Sequence, residues 1–328
     1  MPKQATAAYL QVVFNLPVEG PFTYRQPELA QKKNQRKKKE APPVEPGMRV
    51  EAPFRGRVRI GYVVDTSEDR PAGNFKILPL KRSLDEEVLF GREQLELAEW
   101  IARMYFCSLG EALAVIIPGG KRESTAEFLP TEEDSFHIPA ELSPAQSAAL
   151  ERISAGQERM YYLYGVTGSG KTEVFLRLAQ QSIAAGRAVV YLVPEIALTH
   201  QLIQQVQARF GSTAAVWHSK LTPSQKLKEW RRMQAGEVRF VIGARSAVFS
   251  PMADIGLFVV DEEHETSYKS GQTPRYHARQ VAMKRCAISN AKLVMGSATP
   301  SLEAYELMNR GQIVRLDLPE RVFGGQMP

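Results

Sequence analysis

The residues Gly165-Val166-Thr167-Gly168-Ser169-Gly170-Lys171-Thr172 satisfy the spacing G-x-x-x-x-G-K-[ST], a pattern suited to gripping a polyphosphate. The glycines let successive backbone N–H groups turn onto phosphate oxygens at a helix start, where the helix dipole already favours negative charge. Lys171 would reach the β- and γ-phosphates of ATP, and Thr172 would ligate Mg²⁺. Further along, Leu257-Phe258-Val259-Val260-Asp261-Glu262-Glu263-His264 reads as an apolar strand with adjacent carboxylates at its C-terminal end, where open parallel sheets bind ligands. Asp261 would hold Mg²⁺ through its water shell, and Glu262 would orient or deprotonate an attacking water. Taken alone, the second segment could equally be acidic residues capping a buried strand. With the phosphate loop upstream, the pair points to nucleoside triphosphate hydrolysis.

Such residues act only when a strand, a turn and a helix present them together. Tyr161-Tyr162-Leu163-Tyr164 supplies strand-formers before the loop, and an amphipathic pattern from Glu173 to Ala185, closed by Gly186, supplies the helix after it. From Leu142 onward, helices alternate with short apolar strands at Tyr161–Tyr164, Ala188–Val193, Ala214–Trp217, Val238–Ile242, Leu257–Val260 and Lys292–Met295. One helix has legible ends: Thr222 as N-cap, Pro223 in the first turn, Gln225 completing a capping box, and Gly236 past the end. Right-handed crossovers of this kind build a parallel sheet covered on both faces.

The N-terminal part has a different texture. Short β-like runs punctuated by Pro and Gly occur at Ala8–Leu16, Phe22–Arg25, Met48–Pro53, Arg59–Val64 and Phe75–Leu78. A helical pattern begins at Arg92, and Ser108 with Glu111 forms a capping box for a second helix that Pro118-Gly119-Gly120 ends. The expected organisation is therefore a β-rich domain at 1–90 with a basic loop at 31–43, a helical connector at 91–120, a linker at 121–141, an α/β lobe at 142–318 and a tail at 319–328.

With 328 residues and 44% hydrophobic content, two cores of ordinary size can be filled. Of the formal charge of +6, the segment QKKNQRKKKE at 31–40 carries +5. The basic balance thus reports one short segment, which reads as a solvated loop that could add sequence-independent phosphate attraction. Cys107 and Cys286 match no metal-ligand or disulfide spacing, which fits a reducing, cytoplasmic setting. No apolar run is long enough for a membrane span.

LVPEIALT (192–199), IGARSAVF (242–249), DEEH (261–264) and GSATPS (296–301) follow GVTGSGKT in that order. They resemble the successive motifs of the first motor lobe of superfamily 2 helicases, and within these the PriA family of bacterial replication-restart helicases. SYKSGQTPRYHAR (267–279) is similar to that family's aromatic-rich loop, and PFTYR (21–25) with GMRVEAPFRGRVRIGYVV (47–64) to its domain that binds a 3′ DNA end. The resemblance implies a RecA-like α/β lobe preceded by a small β-rich DNA-binding domain. It further implies ATP-dependent 3′→5′ unwinding at branched forks, primosome assembly and nucleoid association, with single-stranded DNA, primosome proteins and single-stranded-DNA-binding protein as partners.

Residue by residue, the resemblance assigns adenine recognition to Gln146. It assigns strand contacts to Pro194, Thr199, Arg245, Ser246, Tyr268, Arg275, Tyr276 and His277, and end binding to Phe22 and Tyr24. His264, Ser297 and Thr299 would couple the nucleotide to DNA. Read without the family, an aromatic such as Tyr276 at a helix start usually packs. The sequence also departs from the family's pattern. A winged helix, the cysteine pairs that bind zinc and a second lobe with its arginine fingers are expected to be absent, so slow turnover is expected of the chain. Thr23 stands where an aspartate is common, offering one hydroxyl in place of a carboxylate. The alternative readings are a DNA-fork binding module with a vestigial ATP site, or another superfamily 2 translocase.

Overall fold

The computed structural model describes residues 9–27, 43–70, 72–73, 76–120 and 141–321. The basic loop expected at 31–43, apart from its last residue, lies outside the described residues, as do 121–140 of the expected linker and 322–328 of the tail. The chain divides into two compact units, Met1–Arg122 with Gln272–Pro274, and Glu123–Gly271 with Arg275–Pro328.

In the first unit, β1 (Tyr9–Phe14), β2 (Phe22–Arg25), β3 (Arg49–Phe54), β4 (Arg57–Ser67) and β5 (Arg82–Ser83) form an antiparallel sheet in the order β2-β1-β4-β3-β5. Alternation along β1 and β3 sends Leu10, Val12, Phe14, Val50, Ala52 and Phe54 into one core. Two helices follow, α1 (Arg92–Tyr105) and α2 (Leu109–Ile116). The predicted capping box opens α2, and Ser108 Oγ also donates to Leu16 O at 2.7 Å. A Cβ on Gly110 would lie 1.8 Å from Phe14 O, so this position admits only glycine without backbone movement. The strand expected at Phe75–Leu78 does not form: Phe75 lies outside the described residues and 76–78 carry no strand. The segment makes only an isolated parallel bridge, Pro79 to Arg25, in which Arg25 N donates to Leu78 O and Leu80 N to Arg25 O, and pairing with β3 is made by β5.

The second unit is a seven-stranded parallel sheet. Its strands are β6 (Met160–Gly165), β7 (Ala188–Leu192), β8 (Ala214–Trp217), β9 (Phe240–Gly243), β10 (Ile255–Asp261), β11 (Lys292–Ser297) and β12 (Val314–Leu318), in the order β12-β6-β11-β10-β7-β9-β8. α3 (Pro144–Ala155) precedes the first strand, and the helices between strands are α4 (Lys171–Ala184), α5 (His200–Phe210), α6 (Pro223–Gln234), α7 (Ala278–Ser289) and α8 (Leu302–Asn309). β7, β9 and the interior of β10 are buried almost throughout, as strands covered on both faces must be. The edge strand β12 alternates buried and solvent-facing positions, Arg315 and Asp317 pointing outward, so it shows none of the continuous apolar run that marks the central strands. The sheet order matters for chemistry: β11 lies between β6 and β10, so the ends of three adjacent strands meet at one edge of the lobe.

Candidate functional site

The phosphate loop forms the turn from β6 into α4. Gly168 and Gly170 take φ of +83° and +76°, a backbone region that favours glycine. Lys171 is buried, and its Nζ donates to Gly165 O at 2.8 Å and Val166 O at 3.3 Å. Ser169 Oγ is buried with no hydrogen-bond partner, which leaves the loop with unused polar capacity. Gln146 closes the capping box of α3, accepting from Ser143 N at 2.8 Å, while its Nε2 donates to Ser169 O at 3.2 Å and Gly170 O at 3.3 Å. The amide expected to read adenine is thus also a strap that ties α3 to the loop.

Opposite the loop, the four residues after β10's apolar run divide the work. Asp261 is buried, with Oδ2 accepting from Tyr191 OH at 2.9 Å and Oδ1 from Glu262 N at 3.0 Å. Burial, and then the negative charge of Glu262, push its pKa up to about 6, with Tyr191 and Lys171 opposing the rise. Glu262 has a φ of +44°, an uncommon conformation for a residue with a side chain and typical of sites where geometry serves function. Ser297, at the end of β11, donates from Oγ to Glu262 Oε2 at 3.1 Å and lies 2.7 Å from His264 Nδ1. One hydroxyl proton serves one acceptor, so His264 donates from Nδ1 to Ser297 Oγ, and a proton-ordered chain runs from His264 through Ser297 to Glu262. Thr299 joins by donating its backbone N–H to Ser297 Oγ at 3.0 Å. Glu263 instead turns inward, accepting from Arg279 Nη1, Ser301 Oγ and Tyr162 OH.

These groups enclose a cavity of about 370 Å³ lined by Gln146, Thr167, Lys171, Thr172, Asp261 and Glu262, among others. Glu173 also reaches it, held by Arg177 and the buried Arg209. The donor set fits a magnesium–nucleotide complex: a cation, a helix start with glycine turns and an orphaned hydroxyl for phosphates, and Thr172 with Asp261 for the metal. Mg²⁺ usually takes only one or two protein ligands beside phosphate and water. Among the described residues there is no cluster of three or more His, Cys, Asp or Glu able to hold a metal.

The residues expected on the strand-binding side fall into two groups. A second cavity of about 460 Å³ is lined by Glu195, Ile196, Ser219, Lys226, Arg245 and Ser246, with others. Ser219 and Lys226 carry no sequence signal, because a lysine in a helix's first turn is ordinarily a solvated cation; burial lowers this one's pKa. Arg245 donates from Nη1 to Ser267 O and Lys269 O, while Ser246 Oγ accepts from Trp217 Nε1 at 3.1 Å. Thr199 caps α5 and is exposed, as is Arg275, whereas Pro194 is buried.

A base-stacking platform from Tyr268 and Tyr276 is not what the structure presents. Tyr268 has no exposed surface and donates to Asp261 O at 2.6 Å, and Tyr276 packs edge-on against Phe249 at 4.9 Å under the Arg245 guanidinium. A stacking residue must offer a ring face to solvent, and here both rings are interior. His277 caps α7, its Nδ1 accepting from Arg279 N at 3.3 Å. In the first unit, Tyr24 is likewise buried and donates to Pro53 O at 2.9 Å, so it is a core residue and not the wall of an open pocket. Phe22 is half-buried against Phe14 and Phe54, and Thr23 faces Gln11 on the other side of the sheet.

Comparison with known proteins gives two family matches, to the DEAD/DEAH box helicases over residues 143–308 and to the 3′DNA-binding domain (3′BD) over residues 11–118. Replication restart protein PriA of Treponema pallidum is 47% identical over 334 residues, which covers 98% of this chain and 48% of that protein. PriA of Bacillus subtilis is 44% identical over 194 residues (58% of this chain, 24% of that protein), and PriA of Borreliella burgdorferi 33% over 269 (80% and 41%). The chain therefore spans about half or less of the length of these relatives.

Proposed function

Because the chain belongs to the PriA family of DEAD/DEAH box helicases, we propose that it acts on DNA as an ATP-dependent motor of replication restart, moving 3′→5′ at branched forks. The observation that carries this reading is the meeting of Lys171, Thr172, Asp261 and Glu262 around one cavity. Bound there, Mg²⁺ would neutralise phosphate charge. Lys171 would exchange its two carbonyl partners for phosphate oxygens, and Ser169 Oγ would gain a partner. Glu262, oriented by Ser297, would hold the attacking water and take its proton. The chain from His264 through Ser297 to Glu262 would carry a change on the strand-binding side to that base. Strand contacts are proposed for Arg275, Thr199, Arg245 and Ser246, joined by Lys226. Partnership with primosome and single-stranded-DNA-binding proteins, and work in the bacterial cytoplasm beside the nucleoid, belong to the same proposal. Among the described residues, no helix is long and apolar enough to cross a membrane.

Of the cavity residues named here, Lys171 is the only cation, and an arginine finger is worth about 10³–10⁵ in rate. Turnover by this chain is accordingly slow, and equilibrium binding is the better assay. Fluorescent ATP with Mg²⁺ should bind the wild type and lose affinity at least tenfold, about 1.4 kcal/mol, in Lys171→Ala. A wild-type chain that fails to bind at millimolar nucleotide would end the ATPase reading. Strand displacement from substrates with opposite tails, in protein extended to the length of its relatives, tests the direction.

A further inference from the structure

The loop joining β3 to β4 is a two-residue turn, Arg55-Gly56, with φ of +47° and +76°. Two positive φ values define a type I′ hairpin, in which Asn-Gly or Asp-Gly is the favoured pair. Arginine in the left-handed region is strained, so this apex carries a cation at a cost to stability. Register places Arg57 opposite Phe54 and Arg59 opposite Ala52, on the same sheet face and two residues apart. That repeat is about 6.8 Å along an extended strand. All three arginines are exposed. Apart from the Arg55 guanidinium 5.5 Å above the Phe54 ring, none has a hydrogen bond or ion pair within the described structure. The neighbouring cations Arg49 and Arg82 are, by contrast, neutralised by Asp85 and Glu51.

The end of the hairpin also outruns its sheet. β1 pairs with β4 only from Gly61 onward, and β5 reaches β3 only at Val50 and Glu51. Residues 52–60 therefore pair only with each other; the β3 side is buried, Ala52 and Phe54 packing in the core on the arginines' own face, so that Arg57 and Arg59 lie at its exposed margin and Val58 and Ile60 are exposed on the other face. A two-stranded ribbon is one of the elements that a duplex groove admits, and guanidiniums match phosphate oxygens with a planar fork.

We propose that the β3–β4 ribbon is a duplex-binding element in which Arg55, Arg57 and Arg59 contact backbone phosphates beside a groove. This rests on the DNA-binding reading of the first unit and adds to it a contact to double-stranded DNA. Strain at Arg55 is the mark of a residue kept for binding: an asparagine there would fold better and bind worse.

The test uses the whole chain and a salt titration of binding to a blunt DNA duplex and, separately, to a single strand of the same length. Each duplex phosphate contact contributes about 0.9 to the slope of log K against log salt. Arg55→Ala/Arg57→Ala/Arg59→Ala should thus lower the duplex slope by up to about 2.7, shrinking the affinity loss between 50 and 200 mM salt by up to about 40-fold. The single-strand slope should stay unchanged. Arg55→Asn should raise the melting temperature by a few degrees while lowering the duplex slope by about one contact.

An unaltered duplex slope in the triple variant overturns the proposal, as does a change confined to the single strand. Loss of polyglutamate binding with the DNA slope intact would assign the ribbon to an acidic peptide and also overturn it. An Arg55→Asn protein that is stabilised yet binds duplex with the wild-type slope removes Arg55 from the contact and with it the argument from strain. A wild-type chain that binds neither DNA would instead remove the DNA-binding reading beneath it.

Discussion

Tyr191→Phe deletes one oxygen from the centre of the lobe, and its effect follows from three contacts. The ring packs edge-on between Phe175 at 5.8 Å and Phe240 at 6.2 Å, so phenylalanine fills the same space. The lost hydroxyl is the donor to Asp261 Oδ2 at 2.9 Å. A hydrogen bond to a charged acceptor is worth about 1.5–3 kcal/mol. Asp261 keeps the Glu262 N–H on its other oxygen, so the lower part of that range applies, about 1.5–2 kcal/mol, or roughly 10–30-fold in an equilibrium constant. Because Asp261 and Thr172, both hydrogen-bond partners of the Tyr191 hydroxyl, would face the metal, the loss should fall on Mg²⁺ dependence, where orienting partners typically matter by about 10–100-fold. Titrating Mg²⁺ against a fluorescent ATP analogue, with a metal-free binding curve beside it, separates the two. The expected result is a Mg²⁺ midpoint raised about 10–30-fold with metal-free nucleotide binding within about twofold of wild type. An unmoved Mg²⁺ midpoint would refute the role given to Tyr191, and equal losses in both curves would show general damage to the lobe.

Tyr276→Ala should destabilise the second unit by about 3–5 kcal/mol, as for other buried aromatics, with Tyr276→Phe close to wild type in denaturant midpoint. A stable Tyr276→Ala that binds single strands weakly would restore the stacking expectation. Burial, and secondarily Arg279, push His277 down to about 4, below its unfolded value of about 6.5. The unfolded chain therefore takes up the proton first as pH falls, and the stability present above about 6.5 should decline toward pH 4. Denaturation of wild type and His277→Asn at pH 7 and 5 reads this directly, and an equal decline in both would exclude His277 as its source. In Gly243→Ala the new Cβ would sit 2.0 Å from Trp217 O across the β8–β9 pair. The melting temperature should fall by many degrees, and a shift below about 2 °C would show that these strands part easily.

What was legible in the sequence and what was not divides along one physical line. Phosphate-loop glycines, capping boxes at Ser108 and Thr222, and apolar strands are local statements, because a few adjacent residues fix a turn, a helix end or a buried run. The structure reproduces them with ends shifted by a residue or two: β9 begins at Phe240 and not Val238, and α4 at Lys171 and not Glu173. The orientation of an aromatic is a non-local statement. Tyr268 and Tyr276 sit in a segment whose composition suits stacking on bases, yet their rings are claimed by Asp261 O, Phe249 and Arg245, partners that only the sheet order brings near. Tyr24 meets the same fate through Pro53 O and the Phe14 cluster. Edge strand β12 escaped because its neighbour protects one side and water the other, leaving an alternation too short to stand out. Glu263 shows the limit most clearly. The sequence places Glu262 in the catalytic position but is silent on where Glu263 goes; a positive φ at Glu262 accompanies a chain path in which one carboxylate lines the nucleotide cavity and the next is sealed under Arg279 and Ser301. The burial of Glu263 and Arg279 then has a functional consequence. It fixes the ends of β10 and β11 against each other, and with them the distance between Glu262 and Ser297 on which the proposed route from strand to nucleotide depends.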